Sequence, residues 1–257
     1  MIAVALVAGG YLVGRDTVDV PPPPAPEAPA PVPQPRPAAL GDILLHRGDL
    51  IRLATAAADA AAGGPAVGDH LAGRRFAVRL PFGCAGMTED AEMPFGWSYD
   101  AEEQTLRVRI TPQQWIEVPW VAERLKGREV ESVEGFWMPR PWTSSEACPP
   151  QAPAIPGERS SWLGIAHFFG TESSRVGQRR GKALELVERV PPEQLPSGSG
   201  FQLLLEGRIA RVPGGQDTVL CHAAGAYDRP TCLIAAEFVR VAVENPATLE
   251  TLAEWQL

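Results

Sequence analysis

The sequence predicts a mainly β fold, an antiparallel sandwich or barrel-like domain led by one N-terminal α-helix and preceded by a disordered Pro-rich tether. Three observations carry this. From Arg74 onward, short apolar runs alternate with polar residues at period two and are punctuated by Gly and Pro. One stretch of helical period lies ahead of them, and no βαβ alternation follows it. Proline is concentrated between Pro21 and Pro37, with ten in those 17 residues.

The N-terminal run Met1–Val13, MIAVALVAGGYLV, has no charge before Arg15. It has the length of a signal-peptide core and falls short of the roughly 20 residues a membrane span needs. Residues 1–14 therefore read as a hydrophobic signal or anchor segment, although the Lys/Arg flank that orients such a segment is missing on its N-terminal side. Residues 15–40 read as a disordered Pro-rich spacer. Proline fixes φ and removes the backbone donor, so the tract favours polyproline II and reaches on the order of 50 Å. Residues 41–257 then form a single β-rich extracytoplasmic domain with a leading helix.

Within the domain, Gly41–Gly63 places Leu50, Leu53, Ala54, Ala57, Ala58 and Ala61 on one helical face, with Asp42 or Asp49 as cap and Gly63–Gly64 as stop. Arg47-Gly48-Asp49 sits at the start of that helix and reads as a chance tripeptide, not an adhesion motif. Arg74–Phe82 is an inside–outside strand, and Trp97–Ile110 a hairpin turning at Ala101–Gln104. Further strands are expected at Val130–Met138, Ser161–Phe169, Ala183–Val190, Phe201–Val212, Thr218–His222, Thr231–Val243 and Leu249–Trp255, with Asn245-Pro246-Ala247 as a turn.

Charge and cysteines bound the function. A net charge of −8 argues against a nucleic-acid partner, whose phosphates call for a basic surface. The four cysteines, Cys84, Cys148, Cys221 and Cys232, include no CxxC pair, so zinc-ribbon and thioredoxin-like chemistry are disfavoured. In an exported chain they suggest two disulfides. The turn formers between Cys221 and Cys232 favour that pairing and leave Cys84 with Cys148.

No catalytic motif stands out. His46, His70, His167 and His222 are scattered, Ser197-Gly198-Ser199-Gly200 is not a GxSxG elbow, and Pro213–Asp217 reads as a hairpin turn. No cofactor and no metal site is expected. Six of the seven tryptophans fall between Trp97 and Trp162. Most suit a β core, but Pro139 and Pro141 break any strand after Met138 and leave Trp142 in a turn. Trp137, Arg140 and Trp142 are therefore the candidate ligand-binding residues, suited to stacking on sugar rings or prolines. The loop Gly170–Lys182 carries Arg175, Arg179, Arg180 and Lys182 against Glu172, a candidate contact for an anionic partner on a long, mobile loop.

These readings converge on a membrane-tethered or secreted bacterial cell-envelope protein. It would be periplasmic and held at the inner membrane through its N-terminal segment, and its domain would bind an envelope protein or glycan and perform no catalysis. The alternative is an envelope hydrolase acting on glycan or peptide through acids the sequence does not identify. A third possibility is a structural assembly subunit, which an exposed sheet edge with an apolar face would support.

Overall fold

A computed structural model describes residues 43–65, 70–88, 93–150, 162–172, 175–196 and 200–256. The expected signal segment and spacer lie outside the described residues. The fold is mainly β, with two sheets and one main helix.

The helix α1 spans Arg47–Ala61. Asp49 reaches back from the first turn to accept the His46 N–H at 2.8 Å, and its charge faces the positive end of the helix dipole. Gly63, at φ +97°, lets the chain turn away, and the Gly64 N–H closes on Asp59 O at 2.8 Å. Leu50, Leu53 and Ala54 are buried and Ala57 and Ala58 half-buried, whereas Ala61, expected on the same face, is exposed. Arg47 is buried with them, so Arg47-Gly48-Asp49 is simply the first turn.

The strands follow as β1 (Arg75–Phe82), β2 (Phe95–Asp100), β3 (Thr105–Ile110), β4 (Gln113–Gln114), β5 (Val130–Trp137), β6 (Leu163–Gly170), β7 (Leu184–Arg189), β8 (Phe201–Ile209), β9 (Val219–His222), β10 (Thr231–Glu244) and β11 (Thr251–Gln256). A short helix, α2 (Pro119–Arg124), opens with Pro119, whose fixed φ suits the first helical position. The larger sheet runs β1-β8-β10-β6-β5-β4, with β9 and β11 also paired to β10; β2-β3-β7 form the smaller one.

The 14-residue β10 organises the larger sheet. Its first half pairs with β9 and, in parallel, with β6; its second half pairs with β8 and β11. The partners change between Ala235 and Ala236, and a bulge between Phe238 and Arg240 then shifts the register within the β8 ladder. The sheet is thus not purely antiparallel. Both sheets feed one buried cluster, in which Phe76, Leu80, Phe82, Phe136, Phe201 and Leu203 meet Leu106, Val108, Ile110 and Leu184. On the other face, α2 covers a second cluster built on Trp115, Val133, Phe168, Leu220 and Leu233.

β1 is buried on both faces, not one: Ala77 packs with Leu204 and Ala242 beneath Leu44. Its edge is closed by the chain before α1, where Leu45 N–H donates to Arg75 O and Ala77 N–H to Leu45 O, at 2.8 and 2.9 Å. Further along, the Glu146 carboxylate accepts the Arg79 N–H at 3.0 Å. These contacts hide an edge that would otherwise invite pairing.

The cysteines pair as Cys84–Cys148 and Cys221–Cys232, and none is free. Cys221 and Cys232 lie directly opposite each other on β9 and β10, with Cα atoms 4.1 Å apart, as in a non-hydrogen-bonded cross-strand pair. Two closed disulfides fit folding in an oxidising, extracytoplasmic environment. Among the described residues, no helix is long and apolar enough to cross a membrane.

Candidate functional site

Arg47 occupies the buried stripe of α1, one turn before Leu50, and is 1% exposed. A guanidinium there must find acceptors. It finds backbone carbonyls in the loop after β5: Nε donates to Thr143 O at 2.9 Å, and Nη2 to Arg140 O at 3.1 Å and to Pro139 O. Burial pushes the Arg47 guanidinium down to about 10; the Glu146 carboxylate opposes that shift and the Arg140 charge adds to it. At neutral pH the group is still cationic.

The loop is held at further points. Arg140, in the left-handed region at φ +48°, turns its own Nη2 onto Ala147 O. Gln202 on β8 donates to Glu146 O at 2.9 Å. The Cys148–Cys84 bond ties the loop's end to the segment after β1. Beside it, Arg79 and Glu244 form an ion pair at 2.7 Å, and that hydrogen bond raises the Arg79 guanidinium above its ordinary range, against the opposing effect of burial.

On this loop stands Trp142, 58% exposed. Ser144 and Ser145 are exposed next to it, while Thr143 Oγ accepts the Ser145 N–H at 3.2 Å. The other two candidate residues lie apart in role. Arg140 is half-buried and committed to the loop. Trp137 packs into the second cluster, edge-on to Trp115 with ring centroids 5.0 Å apart. Among the described residues no ring contact joins Trp137 to Trp142. The tryptophan concentration therefore divides: Trp115 and Trp162 are buried, Trp97, Trp120 and Trp137 pack against the clusters, and Trp142 alone of the six is exposed.

The arginine loop is organised by the opposite charge. Glu134, on β5, is 4% exposed. Its carboxylate accepts the Arg179 N–H at 2.7 Å, the Arg180 N–H at 3.0 and 3.2 Å, and the Ser132 hydroxyl at 2.7 Å. Left-handed conformations at Arg180 (φ +51°) and Gly181 (φ +77°) follow these inward amides, an anion nest occupied by the protein's own acid. The loop, expected to be mobile, is clamped to the sheet at this point. Arg175 pairs with Glu131 at 2.8 Å, and Arg179 donates to Ala183 O at 2.8 Å. Arg180 and Lys182 are exposed.

Next to the nest, His167 stacks on Phe169 with centroids 3.9 Å apart. Burial pushes its imidazole below the usual histidine value, against the pull of Glu237 and Glu134. Ser132, Glu134 and His167 thus bring hydroxyl, carboxylate and imidazole together, but in the wrong order for a nucleophile. The serine donates to the carboxylate, not to the imidazole, and the carboxylate is consumed by amides. Among the described residues there is no cluster of three or more His, Cys, Asp or Glu fit for a metal.

Sequence periodicity could have flagged both anchors. Arg47, Leu50 and Ala54 fall at i, i+3 and i+7, and Ser132, Glu134 and Phe136 share one face of β5. No family model matches the chain, and no curated protein or solved structure matches it.

Proposed function

We propose that the domain is a non-catalytic binding module of the cell envelope, displayed outside the cytoplasm on its proline-rich tether, with Trp142 as the contact to a glycan. The observation that carries this reading is an indole 58% exposed on a loop fixed by a buried guanidinium, by the Glu146 carboxylate on the Arg79 N–H and by a disulfide. Exposing a large apolar ring on an over-determined loop gives no folding advantage and leaves little entropy to lose on binding. An indole face stacks on the C–H face of a sugar ring, and the neighbouring hydroxyls of Ser144 and Ser145 suit its polar rim. The N-terminal segment supplies attachment to the inner membrane, and Arg180 and Lys182 a secondary attraction for anionic envelope polymers.

The test is titration of the isotope-labelled protein with N-acetylglucosamine oligosaccharides while the indole N–H resonances are followed. The Trp142 resonance moves with saturable dependence on ligand, and those of Trp115 and Trp162 stay in place. A Trp142 resonance unmoved by every glycan tried removes the reading.

A further inference from the structure

We propose that β7 is a self-pairing edge through which two copies of this chain join their smaller sheets into one continuous antiparallel sheet. β7 pairs with β3 on one side. Val190 N–H donates to Gln104 O at 2.9 Å, which sets the phase of that ladder. Residues 184, 186 and 188 then point their backbone groups toward β3. The N–H and C=O groups of Glu185, Val187 and Arg189 point away from the sheet, and among the described residues nothing pairs with them. The larger sheet hides its β1 edge under Leu45 and Glu146; β7 has no such cover among the described residues. The adjoining outer face of the small sheet is an open trough of about 420 Å³, walled by Arg107, Arg109, Glu185 and Val187.

The occupant follows from the charges. An antiparallel pairing of β7 with itself about a two-fold axis at Val187 sets Glu185 opposite Arg189 of the second copy, Val187 opposite Val187, and Arg189 opposite Glu185. All three are pairs whose backbone groups face the new partner, so each exchanges both N–H···O bonds. On the outer face, Glu185 already lies 4.0 Å from Arg109 of its own chain, across β3. In the pair it is flanked by a guanidinium on each side. Val187, 60% exposed, meets its own copy. The same side chains that would repel a strand of like pattern in another register fit a second copy in this one, which is how an isologous contact is specified. The contact is short, so it belongs to the weak, concentration-dependent class.

A register this specific makes a charge-exchange test available. Glu185→Arg sets arginine against arginine at both ends of the pair, and Arg189→Glu sets glutamate against glutamate. Each variant alone is expected to sediment as a monomer where the wild type self-associates. An equimolar mixture is expected to form a one-to-one heterodimer, because both ends are then complementary. Both side chains are on the exposed face, and an unchanged near-ultraviolet circular dichroism spectrum checks the fold. Wild type that stays monomeric across the concentration series overturns the proposal. So do single variants that dimerise as the wild type does, or a folded mixture that remains monomeric.

Discussion

The loop that presents Trp142 and the loop that carries the arginines are held by mirror-image chemistry. At the first, one buried cation, Arg47, gathers the carbonyls of Pro139, Arg140 and Thr143. At the second, one buried anion, Glu134, gathers the amides of Arg179 and Arg180. In each case a side chain on a regular element supplies what a turning backbone lacks, so the loop needs no sheet partner. The difference lies in completeness. Both Glu134 oxygens are satisfied, whereas Arg47 leaves Nη1 buried with no partner among the described residues. The Trp142 loop makes up for this with the Cys84–Cys148 bond and the Gln202 contact. What is displayed differs too: the first loop exposes an indole, while the second turns two of its four cations onto its own neighbours, Glu131 and Ala183.

Removing each anchor sharpens this contrast. Arg47→Met keeps the apolar stem and strips three carbonyls of their donor, and is expected to lower the unfolding free energy by about 3 kcal/mol in denaturant titrations. Hydrogen exchange should then rise across residues 138–147 and leave the Arg179 and Arg180 amides protected. Arg47→Lys should not restore stability, since one ammonium cannot reproduce the guanidinium fork. Glu134→Gln turns a carboxylate into a group with one donor end facing amides, at a cost of about 2 kcal/mol. Here the pattern reverses, with faster exchange at Arg179 and Arg180 and none at the Trp142 loop. Exchange that rises at both loops in both variants would mean that one cooperative unit, not two anchors, holds them.

The smallest expected effect is on pH dependence. His167 has its folded value lowered by burial, so the unfolded chain takes up a proton that the native state refuses. Its contribution is full above about pH 6.5 and is lost as the pH falls below that value. His167→Gln should flatten the slope of unfolding free energy between pH 6.5 and 5. A slope unchanged by the substitution would assign the acid sensitivity to other groups.

Much of the fold was legible because it rests on local pattern. Period-two alternation placed Leu106, Val108 and Ile110 correctly on β3, and turn residues between Cys221 and Cys232 pointed to their pairing. What escaped depends on contacts distant in sequence. The parallel match of Cys232–Ala235 with Leu163–Ala166 joins segments about 70 residues apart, and no local period encodes that. Strand β4 has two residues and α2 six, too few to show a period. At the candidate site, Trp142 was readable from Pro139 and Pro141, which end the strand. Arg47 and Glu134 were passed over because charged residues are ordinarily surface residues. Their burial makes sense only once the loops they hold are in place.

The central claim is that Trp142 is displayed for contact and not for packing. It is tested most directly by measuring, on the same preparation of Trp142→Ala, oligosaccharide affinity and unfolding free energy. The account predicts that binding falls at least tenfold, about 1.4 kcal/mol, while unfolding changes by less than about 0.5 kcal/mol. A loss of several kcal/mol in unfolding, as for a core truncation, or undiminished affinity would contradict it.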